Sequence, residues 1–419
     1  MEGFPAVEVK DKKVDISKQE GKSCEKKENP DFGKFGQPEC SAEEQDQTRG
    51  YPKQNMVIQH HTTKKGIFVA QNRFVSMDST KILLIYTGGT IGMVQDSKTG
   101  QLRPMNFGKL RIHFPELERF NFPIDTYSFA KPVDSSAISP AHWIQIAEVI
   151  EKNYASYSGF VVLHGSDTMS FTASALSFMF ENLGKPVVLT GSQLPVGILR
   201  TDAKENLITS IEIAATRKAG GEPMVPEVSL YFEYQLYRGN RSHKFNAEDF
   251  EAFRSVNYPV LAEAGVSIKY NEAAILPMPT GKFKVNTQLS DSICAIRLFP
   301  GIWFGPYLDM LENRKVRAVV IQSFGTGNGP NYESFESFLR IAQEKDILVL
   351  NTTQCRGGKV VQGLYESSGL FVKYGAIGGE DISFEAAVTK LMLLLGNHTD
   401  NAVVRAELRK SLRGEMSNA

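Results

Sequence analysis

The sequence predicts an α/β protein. A larger N-terminal domain has a parallel sheet with flanking helices, a smaller C-terminal α/β domain follows, and a disordered tail precedes both. Three observations carry this reading. From Lys81 onward, short apolar runs alternate with longer amphipathic ones, the pattern of strands joined by helical crossovers. A second, smaller set of the same kind begins near residue 291. Residues 1–55 are rich in Lys, Glu, Gln and Pro, with isolated apolar residues that cannot offset the entropy of ordering them.

Taken in order, residues 56–79 are ambiguous between more tail and a short added strand. Residues 81–86 (KILLIY), 159–163, 186–189 and 228–232 read as buried strands. Ser139 followed by Pro140 marks an N-cap and first turn, opening a helix that runs to about Tyr154. Residues 168–183 and 203–218 give two further helices, and strands separated in this way pair in parallel. In the second set, 293–298, 316–321 and 347–350 are strands, and 332–345, 383–396 and 400–413 are helices. Pro277, Pro279 and Gly281 mark 266–290 as an irregular linker, which sets the two domains at 80–265 and 291–419.

A chain of 419 residues with 42% hydrophobic content has room for two or three cored domains. Lys plus Arg and Asp plus Glu each number 47, so no net field draws nucleic acid or anionic lipid, and neither is an expected partner. Cys24, Cys40, Cys294 and Cys355 are too scattered for a disulfide framework or a zinc site. The opening MEGFPAVEVKDKK has charges where a signal peptide needs an apolar run. No apolar stretch approaches the ~20 residues that cross a bilayer. A cytoplasmic protein is expected.

In an open parallel sheet, ligands bind beyond the carboxyl ends of the strands. Three such ends here carry small residues and hydroxyls: Thr87-Gly-Gly-Thr90-Ile-Gly-Met93, His164-Gly-Ser-Asp-Thr168 and Gly191-Ser-Gln193. The first lacks both the GxGxxG spacing and the Lys-Ser/Thr ending of phosphate loops. Thr87 and Thr90 are therefore candidate nucleophiles, or else structural hydrogen-bonders of a tight turn. In the second, the hydroxyl of Ser166 adjoins the carboxylate of Asp167. Such a pair can activate a hydroxyl or bind an ammonium group. It can equally cap the helix that follows, and the two uses are compatible.

Five segments in order, YTGGTIGM at 86–93, VLHGSDTM at 162–169, GSQLPVG at 191–197, YRGNR at 237–241 and FGTGNGP at 324–330, resemble type I (cytosolic) L-asparaginases of the asparaginase/glutaminase family. The resemblance runs from about residue 80 to the C-terminus and includes LRGEM at 412–416. It implies hydrolysis of L-asparagine to L-aspartate and ammonia through an acyl-enzyme intermediate, with no metal or organic cofactor. By position, Thr90 matches the nucleophile, and Ser166, Asp167 and Lys244 match the charge-relay group. A lysine accepts a proton only where burial or a neighbour lowers its pKa. Asp134, Ser135 and Ser136 match the loop that binds the α-carboxylate and α-amino ends of the substrate, together with Ser166 and Asp167. Backbone N–H groups of the glycine-rich loops are candidate donors to the oxyanion, an effect of roughly 3–4 kcal/mol for a good donor. The family borrows a site group from a neighbouring subunit, so a homodimer or homotetramer is expected.

The sequence departs from the family in three places. Serine stands at 166 where threonine is usual, which keeps the hydroxyl but loses the χ1 stiffness of a β-branch. Residues 100–104 lack the assisting tyrosine of bacterial members, and Tyr365 stands where mammalian-like members place one, to be contributed across a subunit interface. The bacterial allosteric positions align with His243, Gln322 and Cys355, of which only the cysteine matches. Glutamine cannot replace an arginine clamp, so that regulation is not expected, and Cys355 reads as a buried cysteine. Two rival readings are the asparaginase-like subunit of a tRNA-dependent amidotransferase, which needs a partner subunit and tRNA, and a non-catalytic asparagine sensor.

Overall fold

The computed structural model describes residues 80–95, 99–100, 102–104, 110–313 and 315–417. The expected tail over 1–55 and the ambiguous stretch to residue 79 lie outside the described residues.

Ile82–Tyr86 forms a fully buried strand with Ile124–Ser128 on one side and Gly159–Leu163 on the other, both parallel. The sheet continues in parallel through Val187–Thr190 and Val228–Phe232. It then turns antiparallel through Gln235–Arg238, Ala262–Ala264 and Ile268–Tyr270, giving an 8-stranded mixed sheet. The chain leaves Ile82–Tyr86, the strand next to the edge, for the edge strand Ile124–Ser128 and returns on its other side, so the strand order reverses there. A crevice opens at such a reversal beyond the carboxyl ends of the strands.

Alternation of side chains along the strands fills both faces. Leu83, Ile85, Phe160, Val162, Val187 and Leu189 pack with helices Pro140–Asn153 and Met169–Met179. Ile82, Leu84, Val161, Leu163 and Val188 pack with helix Ala203–Ala215. The smaller sheet is wholly parallel, in the order Ile293–Arg297, Ala318–Ser323, Leu348–Thr353, Ile377–Gly378. Its Ala318, Val320, Leu348 and Leu350 join the first cluster through helix Phe384–Asn397, so one apolar core runs without a break from the large sheet to the small one. Among the described residues, no helix is long and apolar enough to cross a membrane.

The expected fold class is present, with differences that have local causes. The helix expected over 168–183 stops at Met179, because Phe180–Glu181 pairs with Lys284–Val285 and Asn182 takes a φ of 55°. The helix expected over 400–413 is Asn401–Leu408, and Gly414 turns the following chain with a φ of 75°. The stretch 266–290, expected to be irregular, supplies the edge strand Ile268–Tyr270 and the short pairing strand Lys284–Val285.

Candidate active site

Two glycines draw the strand-end loops together. Gly88 has a φ of 140°, and a Cβ there would lie 2.1 Å from the carbonyl oxygen of Val133. Gly89 has a φ of 84°, and its Cβ would meet the backbone nitrogen of Gly165 at 2.4 Å. Only glycine tolerates both the positive φ and the close approach. Three strand-end loops are thus drawn into direct contact. Thr90 and Ser166 each stand one residue beyond the point where the Gly89 and Gly165 backbones touch.

The two threonines of the first loop part company here. Thr87 is buried and its hydroxyl donates to the carbonyl of Leu163 at 3.0 Å, tying the first strand end to its neighbour. Thr90 begins a short 3-10 turn, Thr90–Gly92, is partly exposed, and forms no side-chain hydrogen bond among the described residues. Its hydroxyl is free for a reacting partner.

In the second loop, Ser166 and Asp167 do not cap the helix that follows. Thr168 holds the N-cap position instead, and its hydroxyl donates to the Ser135 carbonyl at 2.7 Å. Ser166 and Asp167 turn to Lys244, whose Nζ donates to Ser166 Oγ at 2.8 Å and to Asp167 Oδ1 at 2.6 Å. The Lys244 side chain is 17% exposed against 64% for Asp167, so an ammonium set into the wall meets a carboxylate open to solvent. Lys244 comes from the two-residue strand His243–Lys244, which pairs antiparallel with Phe253–Arg254. Adjacent strand residues face opposite ways, which aims Lys244 at the crevice.

The Asp134 carboxylate accepts the backbone N–H and the hydroxyl of Ser136, both at 2.8 Å. The backbone N–H foremost, then the hydroxyl, hold its carboxyl below the usual carboxylate range. Ser135 is buried against Gly165, while Asp134 and Ser136 are exposed.

Two residues of the marked strand-end segments, Gln193 and His164, act as supports, a role not read from the sequence. Gln193 Oε1 accepts the Ser166 hydroxyl at 3.3 Å, and its amide donates to the carbonyls of Ala247 and Asp249. The Asp202 carboxylate in turn takes the backbone N–H groups of Gln193 and Leu194. The second support is His164, buried beneath the loop. Its Nδ1 donates to the Gly165 carbonyl at 2.7 Å and its Nε2 accepts from Thr172 at 2.9 Å. Thr172 takes the Trp143 indole N–H at 2.9 Å. Burial lowers the pKa of this imidazole to about 4, so it stays neutral and holds a single tautomer.

Tyr365 is not part of this cluster within the chain. It is 55% exposed on the smaller domain, with its carbonyl accepting from Ser368. His243 Nδ1 lies 2.5 Å from Glu385 Oε1, and the Gln322 carbonyl accepts from Gln354 at 2.9 Å. Cys355, expected to be buried, is exposed. It follows the strand Leu348–Thr353 in a loop that turns outward, where its backbone N–H donates to the Thr353 hydroxyl at 3.0 Å. Among the described residues, no group of three or more His, Cys, Asp or Glu side chains is placed to hold a metal ion.

Ser166, Asp167 and Lys244 thus meet at a strand end of the large sheet, in a chain that carries a large mixed sheet and a small parallel one. Residues 81–276 match the family model for the asparaginase N-terminal domain, and 292–408 that for the glutaminase/asparaginase C-terminal domain. The chain is 38% identical to L-asparaginase 1 of Escherichia coli K12 over 346 residues, covering 81% of this chain and 99% of that one. It is also 38% identical to the 60 kDa lysophospholipase of Mus musculus, covering 80% of this chain and 62% of that one. The crystal structure of L-asparaginase I from Vibrio cholerae superposes with a TM-score of 0.73 at 40% identity, covering 81% of this chain and 99% of that one. The chain belongs to the asparaginase family.

Proposed function

We propose that the protein hydrolyses L-asparagine to L-aspartate and ammonia, with Thr90 as the nucleophile. What supports this is the close approach of the Gly89 and Gly165 backbones, each one residue before Thr90 and Ser166, together with the bonds from Lys244 to Ser166 and Asp167. The Escherichia coli and Vibrio relatives, both named as L-asparaginases, support the choice of substrate.

Thr90 Oγ1 adds to the side-chain carboxamide carbon of asparagine, and negative charge develops on its oxygen. The hydroxyl proton passes to the amide nitrogen, the C–N bond breaks, and ammonia leaves an aspartyl ester on Thr90. Water adds to the ester carbon, a proton returns to Thr90 Oγ1, and aspartate departs. Ser166 and Lys244 act as the relay beside these proton movements. Asp167 takes the substrate ammonium, and the Asp134-Ser135-Ser136 turn takes the α-carboxylate and α-amino ends. The protein works in the cytoplasm as a homodimer or homotetramer, in which Tyr365 reaches the site of the neighbouring copy.

Ammonia release from L-asparagine by the full chain and by Thr90→Ala tests this reading. The variant is expected to lose at least about 10³-fold in kcat, as when a nucleophile that works with a relay is deleted. Equal rates in both would remove Thr90 from the mechanism, and no ammonia from either would remove the activity.

A further inference from the structure

Residues 238–244 lead from the large sheet to Lys244, and the smaller domain and the C-terminal segment hold the side chains along the way. Asn240 donates to the Arg413 carbonyl at 3.1 Å. Arg241 donates to the Gly414 carbonyl at 2.7 Å and pairs with Asp381 at 3.0 Å. His243 meets Glu385 at 2.5 Å. Past Lys244, Arg356 donates to the Phe245 carbonyl at 2.9 Å.

We propose that His243 and Glu385 are positioning residues for Lys244, so that the smaller domain sets the place of the relay lysine. The proposal rests on the reading of Lys244 as part of the relay. The Glu385 side chain is 6% exposed, in the first turn of helix Phe384–Asn397, where the dipole favours a carboxylate. Its Oε2 is buried without a hydrogen-bond partner among the described residues, so His243 at Oε1 carries the satisfaction of this group. Leaving a buried carboxylate unpaired is costly, which holds His243 in one place. His243 and Lys244 are consecutive in one strand and face opposite ways, the first towards the smaller domain and the second towards Ser166 and Asp167. A backbone fixed at 243 therefore fixes the origin of the Lys244 side chain.

Two readouts on the full chain test the proposal. The first is acylation of Lys244 by an N-hydroxysuccinimide ester, read by peptide mass spectrometry against exposed Lys284. The second is kcat and KM for L-asparagine. His243→Ala, Glu385→Ala and their double variant are expected to raise Lys244 labelling severalfold. They should lower kcat by roughly tenfold to a hundredfold with KM little changed, as for a misplaced reacting group. His243→Asn, whose amide nitrogen stands near the place of Nδ1, and Glu385→Gln, which keeps the acceptor, are expected to restore both. The double variant leaves no buried carboxylate behind and serves should His243→Ala fail to fold. Parental labelling in the folded alanine variants overturns the proposal, as does an unchanged kcat in those variants where the parent is active. A parent that releases no ammonia, but whose labelling follows the expected pattern, keeps the positioning role and removes the activity instead.

Discussion

His164 shows how one buried side chain fixes the protonation and shape of a strand end. Its folded-state pKa of about 4 lies below the ordinary 6.5, because burial penalises the imidazolium. As pH falls, the unfolded chain takes up this proton first. The stability His164 contributes is complete above 6.5 and is lost as pH falls towards 4, an amount on the order of 3 kcal/mol. His164→Asn removes the titrating group, so the gap in thermal midpoint between parent and variant is expected to narrow between pH 6.5 and 4. A gap that stays constant across this range would mean that His164 is not held neutral in the fold. Thr90, Ser166 and Asp167 were legible as candidates because they follow apolar strands directly, whereas Asp134 to Ser136 read locally as an ordinary loop and stood out only through the family resemblance. The supports of these residues were not legible. Gln193 reaches carbonyls more than 50 positions away, and the Trp143–Thr172–His164 chain joins two helices and a strand end. Contacts at such separations leave no mark in local spacing.

At the scale of elements, four of the parallel strands of the large sheet declare themselves as continuous apolar runs, because they are covered on both faces, while the edge strand Ile124–Ser128, half exposed, does not. The antiparallel edge does not, because Ala262–Ala264 and Ile268–Tyr270 are short and partly exposed. The C-terminal segment escapes a periodicity argument for a different reason. After helix Asn401–Leu408, Leu412 to Met416 is held by a buried charge as well as by Leu412 and Met416 at its ends, which pack into the core. Glu415 lies 2.7 Å from Lys390 Nζ with both side chains at 0% exposure, and its carboxylate also takes the N–H groups of Leu412 and Arg413. Removing one partner of such a pair strands a buried charge, at about 3–5 kcal/mol. Glu415→Ala is expected to lose that much in urea unfolding, and Lys390→Met/Glu415→Leu together much less. A loss within 0.5 kcal/mol of zero, the ordinary range for surface positions, would show that the segment is not anchored through this pair.

At the scale of the molecule, one chain gathers Thr90, Ser166, Asp167 and Lys244 but sends Tyr365 outward. Ser368 braces that loop, its hydroxyl accepting the Gly363 N–H at 2.9 Å and donating to the Tyr365 carbonyl at 2.7 Å. Leu364 and Tyr365 are left 58% and 55% exposed on a firm mount, a display suited to insertion into a second copy. In a two-fold assembly the same patch serves both subunits reciprocally. A hybrid dimer of one Thr90→Ala subunit and one Tyr365→Phe subunit then contains one site with both groups intact and one with neither. Purified through a separate tag on each subunit, this hybrid is expected to recover about half the parental kcat per dimer, well above either variant homodimer. If Tyr365 served its own chain, each site of the hybrid would carry one defect. Its activity would then be the mean of the two variant homodimers, and the shared-site assembly would have to be given up.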